Sequence, residues 1–355
     1  MIDRRTFLIK ALAAAGTAGA AVAAGCLRRP GASPLKAATQ YLWSRQGEDG
    51  GFRSTTYGLL RSGQSLTPFV LLALLGVPEG ESSPKPGAIG RALEFIKANT
   101  NADGALGLMD DTPDYPNYAT ALAVSAIVKA RKPGYETLIE QMVAQLRAQQ
   151  FSEANGWSPQ DAPYGAWGMG GTIHRPPEPG HVDLSMTRHV LEALHLSGVS
   201  VTDPAIARAL VYLRGSQNPD GGFYFSAVNP EINKAGNNGG GFASYSTATA
   251  DGVLALRAAG VDDEDPRIKK AIAWLVQHHQ PDRAPGFEET GQKWAGGLRF
   301  YYAHAISRVL PQLPVELPDQ GEDGSFRNQV NLVKEDDPLI ATAFALYVMA
   351  RSPGR

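Results

Sequence analysis

A carboxyl group works as an acid or base only where its surroundings hold it in the right protonation state, so the acidic strings are tested first. Three stand out: Asp110-Asp111, Asp262-Asp263-Glu264-Asp265 and Asp336-Asp337-Pro338. The first lies between prolines (Pro113 and Pro116 follow it) and reads as a solvated loop. The second runs into Pro266 and an amphipathic segment, where acids favour a helix N-terminus. The third starts an apolar segment, so Asp337 reads as an N-cap that could also face a cavity mouth. It is one of two weak catalytic candidates; the other is Asp183, within His181-Val182-Asp183-Leu184-Ser185. His189 and His195 lie six apart on one segment, so they point in different directions and read as packed, hydrogen-bonded residues. His278-His279 ends an amphipathic segment, where a cation suits the C-terminal dipole. There is no Gly-x-Ser-x-Gly elbow. Asn237 to Gly241 is Gly-rich but lacks the Lys-Ser/Thr of a phosphate loop, and reads as a flexible loop.

The elements that would position these groups come from a repeat. Gln46-Gly-Glu-Asp-Gly-Gly-Phe52 returns as Gln217-Asn-Pro-Asp-Gly-Gly-Phe223 and Gln320-Gly-Glu-Asp-Gly-Ser-Phe326. Weaker forms read Asn101-Ala-Asp-Gly104, Gln150 to Asn155-Gly156-Trp157, and Gln280-Pro-Asp282 to Gly286-Phe287. A unit recurring at this spacing implies a stacked or closed array. Amphipathic helices precede the turns: Asp203-Pro204 with Ile206, Leu210 and Leu213, and Asp265-Pro266 with Ile268, Ile272 and Leu275. Asp is the N-cap and Pro the first helical residue. Similar helices are expected near 34–46, 87–99 and 135–150. After the turns come segments apolar nearly all round: Tyr118 to Val128, Leu184 to Leu196, Ser246 to Leu256 and Leu339 to Met349. Half-exposed helices alternating with fully buried ones imply two concentric rings. Six inner helices can be counted, but only five clear outer ones. Between Phe287 and Gln320 there is room for a helix at 298–310 and a Pro-rich link, so the last outer helix is expected to be short or missing.

The Gln…Asp-Gly-Gly-Phe turns, the Asp-Pro-x-Ile outer helices at 203–213 and 265–275, and the Thr-Ala-x-Ala-Leu inner helices resemble the prenyltransferase and squalene-cyclase (terpenoid cyclase) repeat family over about residues 33–351. The resemblance implies an all-α, α6/α6 toroid whose inner ring surrounds a cavity. It does not carry over a known active site. The cyclases of the family use the middle Asp of Asp-x-Asp-Asp, which this chain lacks. The protein prenyltransferases hold zinc through Asp-x-Cys and a distant His. Asp183 matches that Asp, but Ser185 stands in the thiolate's place. A site of His181 and Asp183 with His174 or His304 is an alternative, yet a hydroxyl is a poor zinc ligand and no cofactor or metal is expected. In the cyclases, aromatic π faces stabilise carbocations. By that analogy Trp167, Tyr245, Trp294, Tyr301, Tyr302 and Phe344 are cavity or rim candidates, together with His181, His189 and His304; core packing is the competing reading. Trp167 is expected in a loop above the cavity.

The 355 residues carry a net charge of −2 and offer no basic field for nucleic acid. Arg4-Arg5-Thr6-Phe7-Leu8 resembles a twin-arginine export signal, and Ala23-Ala24-Gly25-Cys26 a lipoprotein processing site. Cys26 is the chain's single cysteine, so no intramolecular disulfide can form. The expected organisation is a signal at 1–25, an anchor linker at 26–32 and one toroid of six repeats at 33–355. The expected protein is exported and held to a membrane by lipid on Cys26. In its cavity or on its rim it binds an apolar, isoprenoid- or lipid-like ligand, a glycan or a protein partner, with catalysis unsupported by motifs. An isoprenoid cyclase or prenyltransferase is one alternative. A glycan lyase or hydrolase is another; it would need two convergent carboxylates, and Asp183 with Asp251 or Asp337 is the only set available.

Overall fold

Two of the outer helices begin where the sequence places acid–proline pairs. The computed structural model describes residues 33–237, 241–287 and 292–351. The helices are α1 (Pro34–Ser44), α2 (Leu66–Leu74), α3 (Ala88–Ala98), α4 (Pro116–Ala130), α5 (Glu136–Ala148), α6 (Leu184–Leu196), α7 (Pro204–Gly215), α8 (Ser246–Ala258), α9 (Pro266–His278), α10 (Gln292–Gly297), α11 (Arg299–Val309) and α12 (Pro338–Arg351). Asp203 accepts from Ala205 N–H and Asp265 from Arg267 N–H, both at 2.8 Å, with Pro at the first helical position. Each such cap is worth about 1 kcal/mol. Asp265 is thereby occupied as a cap, and Asp110 pairs with Arg61 on the surface.

The inner ring is α2, α4, α6, α8, α11 and α12. Each packs on the next, and α12 packs back on α2, so the ring closes. Helices α1, α3, α5, α7 and α9 pack outside it. Among the described residues no helix lies between Leu310 and Asp337, so the sixth outer helix is missing.

The repeat turn is the joint between the rings. Gln46 Nε2 donates to Gly50 O in its own turn and to Ala88 O at the start of α3. Gln150 does the same with Gly165 and Ala205, and Gln217 with Gly221 and Arg267. Gln320 bonds Gly324 O and reaches Pro34 O at 2.9 Å, stitching the last turn to the first helix. Inward, the N–H of Phe52, Leu106, Trp167, Phe223 and Phe326 donates to a threonine hydroxyl on the following inner helix: Thr67, Thr120, Thr187, Thr249 and Thr342. The glycine between these bonds is obligatory. Gly50 has φ +90°, and a Cβ there would lie 2.2 Å from Arg91 O of α3. Where no outer helix follows, Gly286 packs on Tyr245 instead.

This corrects the third repeat. Its turn is Gly165-Ala166-Trp167, not Asn155-Gly156-Trp157; residues 151–164 stand between Gln150 and that turn, where the turns at Gln46, Gln217 and Gln320 have three residues. Trp167 therefore holds the position of the buried Phe in the other turns. It is fully buried, its indole donates to Leu146 O at 2.6 Å, and it does not reach the cavity.

Candidate functional site

The N-terminal ends of the six inner helices surround a cavity of about 620 Å³. Its wall is apolar and aromatic: Phe69 of α2, Tyr118 of α4, Met186 of α6, Tyr245 before α8, Tyr301 of α11, Ile340 and Phe344 of α12. Phe344 meets Phe69 edge-on at 4.9 Å and Tyr301 at 5.6 Å. Phe225, Lys234, Trp294 and Lys334 stand around the mouth.

Of the residues expected at the cavity, His181, Asp183, Tyr245, Trp294, Tyr301 and Phe344 line it. The others do not. His189 is buried against Tyr118, and His304 is buried between Phe344 and Tyr347. Burial, reinforced by Arg188 and Arg308, pushes both imidazoles well below their ordinary pKa. Tyr302 turns away from the axis, and its hydroxyl meets His279 Nδ1 at 2.7 Å. Asp337 is a helix cap: it accepts Leu339 N–H at 2.8 Å and the Ser54 hydroxyl. Arg4, Arg5 and Cys26 lie outside the described residues.

Asp183 combines two roles. Oδ1 caps α6 through Met186 N–H at 2.7 Å, and Oδ2 lies 2.6 Å from His181 Nε2. Ser185, two residues on, bonds Tyr301 Oη at 2.7 Å. Among the described residues no group of three or more His, Cys, Asp or Glu converges as a metal site.

The decisive group is Asp251, on the second turn of α8 and 1 % exposed. Its carboxylate accepts Arg188 Nε at 3.0 Å and Tyr301 O–H at 2.8 Å. Burial pushes this carboxyl above its ordinary range, against the pull of Arg188 and of the Tyr301 hydroxyl. Behind it, Arg188 also bonds Glu192 at 2.9 Å, and Glu192 bonds Arg308 at 2.6 Å. Burial opposes ionisation of Glu192, yet the two arginines hold its carboxyl down at about 2. Two buried acids on one arginine are thus driven apart, one up and one down. Glu335 at the mouth caps α11 through the N–H groups of Phe300 and Tyr301, and burial raises it to about 7. Arg188, Glu192, Lys234 and Lys334 carry no motif, and so pass unnoticed in the sequence.

Residues 178–296 match the family model described as the squalene-hopene cyclase C-terminal domain. The squalene–hopene cyclase of Bradyrhizobium diazoefficiens is 33% identical over 173 residues, 48% of this chain and 22% of the cyclase. Drimenyl diphosphate synthase of Streptomyces showdoensis is 26% identical over 301 residues, 80% of this chain and 48% of the synthase. The matches thus span half or less of these curated relatives. The type II terpene cyclase MstE from Scytonema superposes with a TM-score of 0.50 at 15% identity, covering 89% of this chain and 96% of that one. Unsaturated glucuronyl hydrolase from Bacillus sp. GL1 superposes at 0.54 with 13% identity, covering 91% and 98%. At such identity the two structures share a fold with this chain and nothing further follows from them. Together with the sequence matches they bear out the resemblance read from the repeats. The chain is like the prenyltransferase and squalene-cyclase repeat family, and its fold is the α/α toroid.

Proposed function

We propose that the central cavity takes an isoprenoid-like chain and that Asp251 acts on it as the acid that starts a cyclisation. One observation carries the reading: a buried carboxyl with a raised pKa at the inner end of an aromatic-walled cavity. Burial favours the protonated acid, and Arg188 stabilises the carboxylate left behind once the proton is given up. The proton goes from Asp251 to an alkene carbon, the π electrons form the new C–H bond, and the positive charge passes to the neighbouring carbon. Faces of Phe69, Tyr118 and Phe344 are placed to stabilise that charge. The reaction ends when the cation loses a proton or captures water. Tyr301 and Ser185 form a hydroxyl pair that holds and relays the proton beside Asp251.

The relatives that support this reading are squalene–hopene cyclase and drimenyl diphosphate synthase. The glycan-hydrolase alternative has its expected carboxyl groups, Asp183 and Asp251, in the cavity, with Glu231 and Glu335 on the same wall. Asp183 is committed to capping α6, however, and the wall is apolar where a sugar needs hydrogen-bonding partners. The protein is further proposed to be exported and anchored through lipid on Cys26, which would place the cavity beside a membrane holding apolar substrates. Native mass spectrometry of protein purified from its own membrane tests the ligand class. A co-purifying isoprenoid supports the proposal; a bound oligosaccharide sinks it.

A further inference from the structure

The amine of Lys234 has no part in that chemistry, yet it opens on the same cavity. Its Nζ lies 3.7 Å from the centre of the Phe225 ring and 5.6 Å from that of Trp294. Its described contacts are ring faces rather than carboxylates. Burial lowers its pKa to about 8, and Asp183 and Asp251 restore only part of the loss. The ring faces attract the ammonium form, yet burial leaves a larger unprotonated fraction at neutral pH than a solvated lysine has. A lysine desolvated against apolar walls is the setting in which an amine becomes a nucleophile.

We propose that Lys234 forms a reversible imine with the carbonyl carbon of an apolar aldehyde or ketone lodged in the cavity. The proposal rests on the reading that the cavity takes an apolar chain. The Nζ lone pair attacks the carbonyl carbon, and the C–N bond forms as the C–O π pair moves to oxygen. Two protons, both from the amine, reach that oxygen, which leaves as water as the C=N bond closes. Nothing is oxidised or reduced, and hydrolysis reverses the step. His181 lines the same cavity, its Nε2 held 2.6 Å from Asp183 Oδ2, and its imidazole is the group that passes the protons.

The test uses farnesal, an unsaturated apolar aldehyde, with sodium cyanoborohydride to reduce any imine to a stable secondary amine. Peptide mass spectrometry then maps the adduct. In parallel, binding of farnesol, the same chain without the carbonyl, is followed by quenching of tryptophan fluorescence, since Trp294 lines the cavity. The expected adduct is at Lys234, about tenfold or more above any other lysine. Saturating farnesol suppresses it, and K234R, shown to be folded by its circular dichroism, lacks it. Farnesol binding without preferential labelling of Lys234 overturns the imine and leaves the cavity reading standing. Absence of farnesol binding overturns both.

Discussion

Replacing Arg188 by Met removes the group that ties the cavity to the polar cluster behind it. The side chain is 1 % exposed and bonds Asp251 at 3.0 Å and Glu192 at 2.9 Å. Removing one partner of a buried ion pair costs about 3–5 kcal/mol. The lower end applies here, because Glu192 keeps Arg308 at 2.6 Å and Asp251 can take up a proton. We expect a loss of about 3 kcal/mol at pH 7.5. With roughly 310 folded residues at about 2.1 cal/mol/K each, the unfolding entropy is about 0.65 kcal/mol/K, so Tm falls by about 5 °C. The sign of the pH dependence follows from linkage. Loss of Arg188 raises the folded-state pKa of Asp251 still further above its unfolded value. Between the two values the folded state binds the extra proton, so stability falls as pH rises through that window. The deficit relative to the unsubstituted protein therefore shrinks on going from pH 7.5 to pH 5. Urea titrations followed by circular dichroism at both pH values measure it. A deficit under about 1 kcal/mol at pH 7.5, or one that does not change with pH, refutes the assignment of Asp251 as a buried acid held by Arg188.

Three further outcomes are expected. Asp337→Ala removes the cap on α12 and the bond to Ser54, costing about 1–2 kcal/mol in urea titration while leaving isoprenoid binding unchanged. Gly165→Ala meets φ +85° and a Cβ 2.0 Å from Arg208 O, and lowers stability by about 3 kcal/mol or more; Gly198→Ala, at φ +82° with nothing within 4 Å, costs about 1 kcal/mol by the same titration. Intact-mass measurement of protein expressed in its own host finds lipid on Cys26; a free Cys26 thiol on the mature protein contradicts the anchor.

The ring architecture was legible because its signals are local. Asp203-Pro204 and Asp265-Pro266 are caps whose partners lie two residues away, and the Gln turns repeat in sequence as they do in space. Trp167 is misplaced because fourteen residues, 151–164, separate Gln150 from Gly165 where three do so in the turns at Gln46, Gln217 and Gln320, and the nearer Asn155-Gly156-Trp157 mimics the motif. The carboxyl proposed as the acid is harder to see. Asp251 stands in Thr-Ala-Thr-Ala-Asp-Gly, a lone carboxyl on an otherwise apolar inner helix. That is itself a signal, since an unpaired buried acid is costly. Its partners, however, are 63 and 50 residues away in Arg188 and Tyr301, and only ring closure brings them together. Asp337 looked similar at the start of an inner helix, but it sits at the capping position, and its lone pairs go to Leu339 N–H and Ser54.

The most direct test of the account is turnover of linear isoprenoids by Asp251→Asn. The amide keeps the shape and an acceptor for Arg188 but has no acidic proton to give. Products from squalene and from geranylgeranyl substrates are resolved by gas chromatography and mass spectrometry, with binding followed in parallel. The account predicts cyclised product from the unsubstituted protein. It predicts a loss of about a thousandfold or more in Asp251→Asn, with substrate affinity held within about threefold. Cyclised product formed by Asp251→Asn at the unsubstituted rate would contradict it.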